Sequence, residues 1–319
     1  MQQILPTLSS TSIFFRSANS NCLRYFRMGA AVSFGSEGEQ TPEQKLRKAL
    51  SVNYNDQGVK KYLVGGNWKA NGTKEQVASW IAMLNEITDI PANAEVVVAP
   101  TWLHLPAAQN GVTSGVQISS QNIAKHSGYG AYTGETTAQM LKEFGINWCI
   151  TGHSERRAME GETSEIVAAK TKLAIDNGLK VMFCCGETLE EREAGKLNDV
   201  VLADQCTALK AALQPEDWAS VVIAYEPVWA IGTGVTATPE QAQEVHAAIR
   251  AWLSSDVHSD IAAATRILYG GSVKGSNAAE LIQCPDIDGF LVGGASLKPE
   301  FKDIVAAAGT APHEPVNLG

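Results

Sequence analysis

A single-domain (β/α)8 barrel is the fold class this sequence predicts, on three observations. Eight short β-branched or glycine-bounded runs lie between residues 62 and 292, longer amphipathic stretches separate most of them, and each separation is long enough for a parallel crossover. A doubly wound dinucleotide fold is the competitor. Its GxGxxG turn should follow the first strand, but Tyr62-Leu63-Val64 is followed by Gly65-Gly66-Asn67-Trp68-Lys69.

The elements follow in chain order. Residues 1–36 carry Arg16, Arg24 and Arg27 with no Lys, Asp or Glu and repeated Ser and Thr, which is the composition of a transit peptide for a plastid or mitochondrion; a cytoplasmic protein with a polar tail is the alternative. Residues 37–60 read as a polar linker or short surface helix, with a helix-start signal at Thr41-Pro42-Glu43. The barrel is expected over 61–310 and a tail over 311–319. Strands are predicted at Tyr62–Asn67, Glu95–Pro100, Val116–Gln121, Trp148–Gly152, Lys180–Gly186, Val221–Glu226, Arg266–Gly271 and Asp288–Val292. Helices are predicted at Lys74–Thr88, Thr136–Phe144, Ser164–Asn177, Asp199–Leu213, Pro239–Leu253 and Ser276–Ile282. Thr238-Pro239-Glu240-Gln241 is a strong helix start, a hydroxyl before a proline and an acidic first turn.

Composition narrows the function classes. The 319 residues are 45% hydrophobic and 18% charged, which supports a large core, and the formal charge of −9 gives no basic footprint for nucleic acid or an anionic membrane. An anionic substrate then needs local donors. No run of 18 apolar residues predicts a membrane span. The six cysteines form no CxxC and the six histidines no HExxH, so no metal site and no disulfide framework is expected.

In a parallel barrel the reacting groups sit after the carboxyl ends of the strands. Those ends offer Asn67 and Lys69 after the first strand, His153 after the fourth, Glu226 after the sixth, Gly270-Gly271-Ser272 after the seventh and Gly293-Gly294 after the eighth. One amide, one cation, one imidazole and one carboxylate thus face a common mouth.

Six blocks in order carry a resemblance: Gly66-Asn67-Trp68-Lys69, Ala131-Tyr132-Thr133-Gly134-Glu135, Gly152-His153-Ser154-Glu155-Arg156-Arg157, the stretch from Ala224 to Gly234, Tyr269-Gly270-Gly271-Ser272-Val273, and the stretch from Gly289 to Leu297. Over Tyr62 to Val305 the chain resembles the triosephosphate isomerases. The resemblance implies a homodimeric barrel that moves a proton between adjacent carbons of dihydroxyacetone phosphate and D-glyceraldehyde 3-phosphate, with no cofactor. Such a transfer needs a base beside the carbon, an electrophile at the carbonyl oxygen and donors for the enediolate. Glu226 fits the base, His153 the electrophile, and Lys69 the cation; without the resemblance, Glu226 reads more readily as an ion-pair partner or helix cap. The resemblance gives Asn67 a substrate hydrogen bond. Backbone N–H groups at Gly232, Ser272, Gly293 and Gly294 are the expected phosphate grip. A pair of further expectations concerns charge. Tyr225 and Pro227 flank Glu226 and should desolvate it, raising its pKa. His153 opens a short helix whose N-terminal potential should keep the ring neutral.

Pro227 to Ala237 looks like the family's closing lid, in which Val235 stands where relatives often have Lys. The segment His126 to Glu135 is longer and more apolar than a connection requires and would expose two tyrosines, so it is expected to form a homodimer interface. An aldolase or another phosphosugar isomerase on the same barrel is a second reading, and a catalytically inert binding barrel a third. A Schiff-base lysine within a strand is missing, and all four reactive residues are retained.

Overall fold

The computed structural model describes residues 40–230 and 237–312. The leader read over 1–36, the lid from Ile231 to Thr236 with Gly232 and Val235, and most of the C-terminal tail lie outside the described residues.

Eight strands pair in parallel in chain order: β1 (Tyr62–Asn67), β2 (Ala94–Ala99), β3 (Gln117–Ser120), β4 (Trp148–Thr151), β5 (Lys180–Cys185), β6 (Val221–Tyr225), β7 (Arg266–Tyr269) and β8 (Gly289–Val292). Leu63 of β1 lies opposite Gly289 of β8, which closes the barrel. Each strand agrees with its predicted run to within two residues.

The strands read as near-continuous apolar runs because both faces are buried. Leu63, Val97, Trp148, Ile150, Met182, Val222 and Leu268 fill the barrel, while their neighbours Val64, Val96, Val98, Phe183 and Ile223 pack outward against the helices. Burying each such side chain contributes about 1.5–3 kcal/mol. The period of two also aims the site: Leu63, Gly65 and Asn67 share one face of β1, and Val222 and Ala224 lead to Glu226 just beyond β6.

The outer layer comprises α1 (Pro42–Leu50), α2 (Lys74–Asn85), α3 (Leu105–Gly111), α4 (Ala138–Glu143), α5 (Ser154–Glu160), α6 (Ser164–Asp176), α7 (Leu189–Glu193), α8 (Thr207–Ala212), α9 (Pro239–Trp252), α10 (Ser259–Ala264), α11 (Ala278–Leu281) and α12 (Phe301–Ala308). A wide-wound π-helical segment, Asn198–Cys206, leads into α8. Threonine caps recur: Thr41, Thr73, Thr137, Thr163, Thr188 and Thr238 each accept a backbone N–H in the first turn, and α1 and α9 start with proline.

Besides the short helices α7 and α10, which the sequence reading did not mark, and the π-helical start of the predicted 199–213 helix, the structure differs from that reading at three further places. Between β2 and β3 stands α3, which the periodicity did not mark because it is only seven residues long and has Pro106 in its first turn. After β8 stands α12, with Phe301, Ile304, Val305 and Ala308 buried at helical spacing. The third is α1, whose Leu46 and Leu50 are buried and whose Arg47 meets Asp260 of α10 at 3.0 Å. Among the described residues no helix is long and apolar enough to cross a membrane.

Candidate active site

The C-terminal mouth of the barrel opens into a cavity of about 340 Å³ whose wall includes Asn67, Lys69, His153, Glu226, Ser272, Gly293 and Gly294. Every described residue predicted for the site therefore lines one cavity. A larger cavity of about 500 Å³ lies on the other side of Glu226, toward α5, α6 and the segment after β5. It lacks Asn67, Lys69 and His153, so the smaller cavity is the one that gathers the residues the sequence singled out.

Glu226 is 2% exposed. Its Oε1 is 2.9 Å from His153 Nε2, and its Oε2 accepts the Ser154 backbone N–H at 2.8 Å. Burial pushes the carboxyl pKa up, but the charge and hydrogen bond of His153, the Ser154 N–H and Lys69 outweigh it, so the net shift is downward. The rise expected from Tyr225 and Pro227 is thus corrected: the neighbours supply desolvation, whereas groups from β1 and β4 supply the opposing and larger field.

His153 sits after Gly152, which takes φ of 69°, a left-handed conformation; a Cβ there would stand 2.4 Å from Val167 Cγ1, so glycine alone fits. The imidazole caps α5: Nδ1 accepts the Glu155 N–H at 3.2 Å, which leaves the ring proton on Nε2, facing Glu226. Burial lowers the ring's pKa, but the Glu226 carboxylate and its hydrogen bond, with Glu155, raise it further, and the net shift is upward. This corrects the expectation drawn from the helix terminus alone. A neutral Nε2–H tautomer nonetheless satisfies both ring contacts.

Lys69 is the single non-glycine residue with positive φ among the described residues, at 51°. Such a conformation costs about 1–2 kcal/mol. Three polar contacts offset it: Asn67 Oδ1 accepts the Lys69 N–H at 2.9 Å, Gln121 Nε2 donates to the Lys69 carbonyl at 2.8 Å, and Lys69 Nζ reaches Glu155 Oε1 at 2.6 Å. The stem runs toward β8, with Cε 3.8 Å from where a Gly293 Cβ would stand.

The loops after β7 and β8 face this ammonium. Ser272 Oγ donates to the Ala230 carbonyl at 3.2 Å, and a short 3-10 turn, Gly294–Leu297, begins at the cavity wall. Lys69, Lys274 and Lys298 on the wall, against Glu226 and Glu300, gather positive charge on this side of the cavity in a chain of net charge −9.

Sequence reasoning did not assign Gln121, the Ser154 N–H or Glu155. Glu155 lies within a quoted motif, but its pairing with Lys69, 86 residues away, follows from the closure of the barrel. A buried carboxylate, Glu187, was also missed: it accepts from the Tyr225 hydroxyl at 2.9 Å, Trp229 Nε1 at 3.2 Å and Arg192 at 3.1 Å, and so anchors the first residues of the lid stretch.

The triosephosphate isomerase family profile matches residues 62–308. The chain is 51% identical over 253 residues to a cytosolic triosephosphate isomerase of Oryza sativa subsp. japonica, covering 78% of this chain and 97% of that protein. It is 45% identical over 311 residues to a chloroplastic triosephosphate isomerase of Arabidopsis thaliana, covering 96% of this chain and 92% of that protein.

Proposed function

Because the chain belongs to the triosephosphate isomerase family, and so is an isomerase that interconverts dihydroxyacetone phosphate and D-glyceraldehyde 3-phosphate, we propose that Glu226, His153 and Lys69 carry its proton transfers. The observation that carries the assignment is the 2.9 Å contact between Glu226 Oε1 and His153 Nε2 in a cavity that also holds Lys69. A substrate carbonyl entering between the two takes the Nε2–H that Glu226 now accepts. The freed carboxylate then faces the adjacent carbon.

Losing that partner changes both groups in the useful direction. Without the carboxylate beside it, burial and the N-terminus of α5 hold the imidazole neutral as a donor. Without the imidazole and the Ser154 N–H, burial raises the affinity of Glu226 for a proton. Glu226 takes the proton from one carbon, His153 and Lys69 stabilise the enediolate oxygen, and Glu226 returns the proton to the neighbouring carbon. Asn67 hydrogen-bonds the substrate and fixes the turn that holds Lys69. Gly232, Ser272, Gly293 and Gly294 bind the phosphate. Pro227 to Ala237 closes over the enediolate, which in open water would eliminate phosphate.

The test is a coupled assay on glyceraldehyde 3-phosphate with Glu226→Asp. Retracting the carboxylate by one methylene displaces it by about 1 Å and should lower kcat about 100-fold with KM little changed. An unaltered kcat removes Glu226 from the role.

We further assign the active unit as a homodimer through the 126–135 loop. Ala124 N–H bonds the Thr136 carbonyl at 2.9 Å and closes the loop at its base, His126 stacks on Tyr132 with centroids 4.2 Å apart, and Tyr129 remains 59% exposed. Tyr129 also hydrogen-bonds Glu143, which sets it beside α4 with the exposed Met140 and Phe144. Such apolar exposure supports an interface. Deleting Ser127 to Tyr132 should give a monomer of reduced kcat by light scattering and assay; a folded monomer at full rate contradicts it. The leader reading places the enzyme in an organelle, and the alignment over 96% of this chain with a relative named as chloroplastic favours a plastid. A reporter fused to residues 1–36 should enter the organelle, and a cytosolic signal refutes that.

A further inference from the structure

One guanidinium that the mechanism does not use ties together the strand ends behind His153 and Glu226. Arg157 lies on α5, one turn after His153, and its backbone N–H bonds the His153 carbonyl at 3.1 Å. Its side chain returns to the strands. Nε donates to the Gly152 carbonyl at 2.8 Å, Nη2 to the Cys184 carbonyl at 3.1 Å and Nη1 to Ser164 Oγ at 3.4 Å. Ser164 Oγ in turn donates to Asp204 Oδ2 at 2.8 Å. Among the described residues no carboxylate pairs with Arg157 directly, so its best hydrogen bonds go to main-chain carbonyls.

Those two carbonyls belong to the supports of the acting pair. The β4–β5 register runs to Thr151 opposite Phe183, and Gly152 and Cys184 are the next residue on each side. Gly152, at a φ of 69°, makes the left-handed turn into His153. Cys184 precedes Cys185, whose carbonyl accepts the Glu226 N–H at 2.7 Å. The three groups pack closely: a Cβ on Gly152 would stand 3.0 Å from Arg157 Nη2 and 3.1 Å from the Cys184 oxygen. The 2.9 Å contact of His153 Nε2 with Glu226 Oε1 joins the ends of β4 and β6, and Arg157 fastens the His153 turn to the strand between them.

We propose that Arg157 is a positioning residue for the isomerisation, a fork that holds the His153 turn against β5 and so fixes the imidazole relative to the Glu226 carboxylate. This inference rests on His153 and Glu226 being the acting pair. Arg157 is not on the wall of the 340 Å³ cavity and acts on the substrate only through His153. The place calls for arginine, because a planar guanidinium presents several N–H donors at fixed angles, whereas lysine offers one compact charge on a flexible stem. A loosened turn lets the imidazole drift, and a misplacement of about 1 Å can cost about 100-fold in rate. Lys69 and Ser272 are held by other partners, so substrate binding should change little.

The experiment assays Arg157→Met and Arg157→Lys in the full chain on glyceraldehyde 3-phosphate, each alone and each combined with His153→Gln. Arg157→Met should lower kcat about 10- to 100-fold with KM within about threefold of wild type, and Arg157→Lys should fall between the two. In the His153→Gln background the same substitution should cost about threefold or less, because the turn no longer carries the group it positions. Arg157 is half-buried on the wall of the 500 Å³ cavity, so the space vacated in Arg157→Ala is open to a small cation. Millimolar guanidinium chloride should restore part of that variant's kcat saturably, and sodium chloride at equal ionic strength should not. Full kcat in folded Arg157→Met, a raised KM alone, or an equal loss of kcat with and without His153 overturns the proposal. If Arg157→Met does not fold, the same comparison on Arg157→Lys decides. Failure of the acting pair reads out separately, as full kcat in His153→Gln or Glu226→Asp.

Discussion

At the N-terminal end of the barrel, Asp288 meets Lys60 at 2.6 Å and Arg250 at 2.6 Å and accepts the Ile267 N–H at 2.9 Å; at the C-terminal mouth, Glu226 meets His153 at 2.9 Å and the Ser154 N–H at 2.8 Å. Both carboxylates are buried and both pKa values are drawn down against the opposing effect of burial. The difference lies in the partners. Asp288 faces permanent cations, and Arg250 is further pinned by Asp286 and by the carbonyls of Ala262 and Thr265. Nearby, Arg266 pairs with Glu95 at 2.6 Å and lies with Lys180 over the Trp148 ring. Glu226 instead faces an imidazole that can be neutral and a single N–H at a helix start, both of which a substrate can replace. Saturated pairing fixes a fold; exchangeable pairing leaves a charge ready for chemistry.

Breaking the saturated end should have the largest energetic effect. Asp288→Asn leaves the Lys60 and Arg250 charges under-compensated, and removal of one member of a buried pair costs about 3–5 kcal/mol. Denaturant unfolding should show that loss while kcat of the folded fraction stays near wild type. A normal stability would show that Asp288 does not hold this end together.

His153→Gln is the counterpart at the mouth. It keeps a donor but loses the geometry set by Nδ1 and the Glu155 N–H, and should lower kcat about 10²–10³-fold with stability altered by less than about 1 kcal/mol. A large loss of stability with near-normal kcat in the folded fraction would reverse the comparison.

A smaller effect sharpens it from between the two ends. His246 is fully buried on α9, its Nδ1 bonds the Ala242 carbonyl at 2.7 Å, and burial pushes its pKa down to about 4. A histidine depressed in the folded state is protonated first in the unfolded chain, so stability is intact above about pH 6.5 and falls as pH drops from there toward 4. The loss by pH 5 is up to about 2 kcal/mol. His246→Gln should remove that slope between pH 6.5 and 5; an unchanged slope assigns it to other groups.

The same contrast explains what could be read in the sequence. The eight strands were legible because a strand buried on both faces must be apolar along its whole length, as Val96-Val97-Val98 is. Lys69, His153 and Glu226 were legible as reactive groups at strand ends. The signs of the pKa shifts at His153 and Glu226 were not, since the dominant partner of Glu226 lies 73 residues before it, and nothing in Tyr225 or Pro227 reports that contact. Gln121 and Glu155 were invisible as supports of Lys69 for the same reason. The strained φ of Lys69 is held by one local bond from Asn67 and two long-range ones from Gln121 and Glu155, and the long-range pair has no trace in the neighbouring sequence.

The central claim is that Glu226 moves the proton, and solvent exchange tests it most directly. Dihydroxyacetone phosphate incubated with enzyme in deuterium oxide, followed by proton NMR, reports removal of the carbon-bound hydrogen apart from product release. The wild-type enzyme should introduce deuterium at the hydroxymethyl carbon, and Glu226→Gln should slow that exchange by at least about 10²-fold while substrate binding changes little. Exchange at the wild-type rate in a folded Glu226→Gln enzyme would contradict the account and place the base elsewhere.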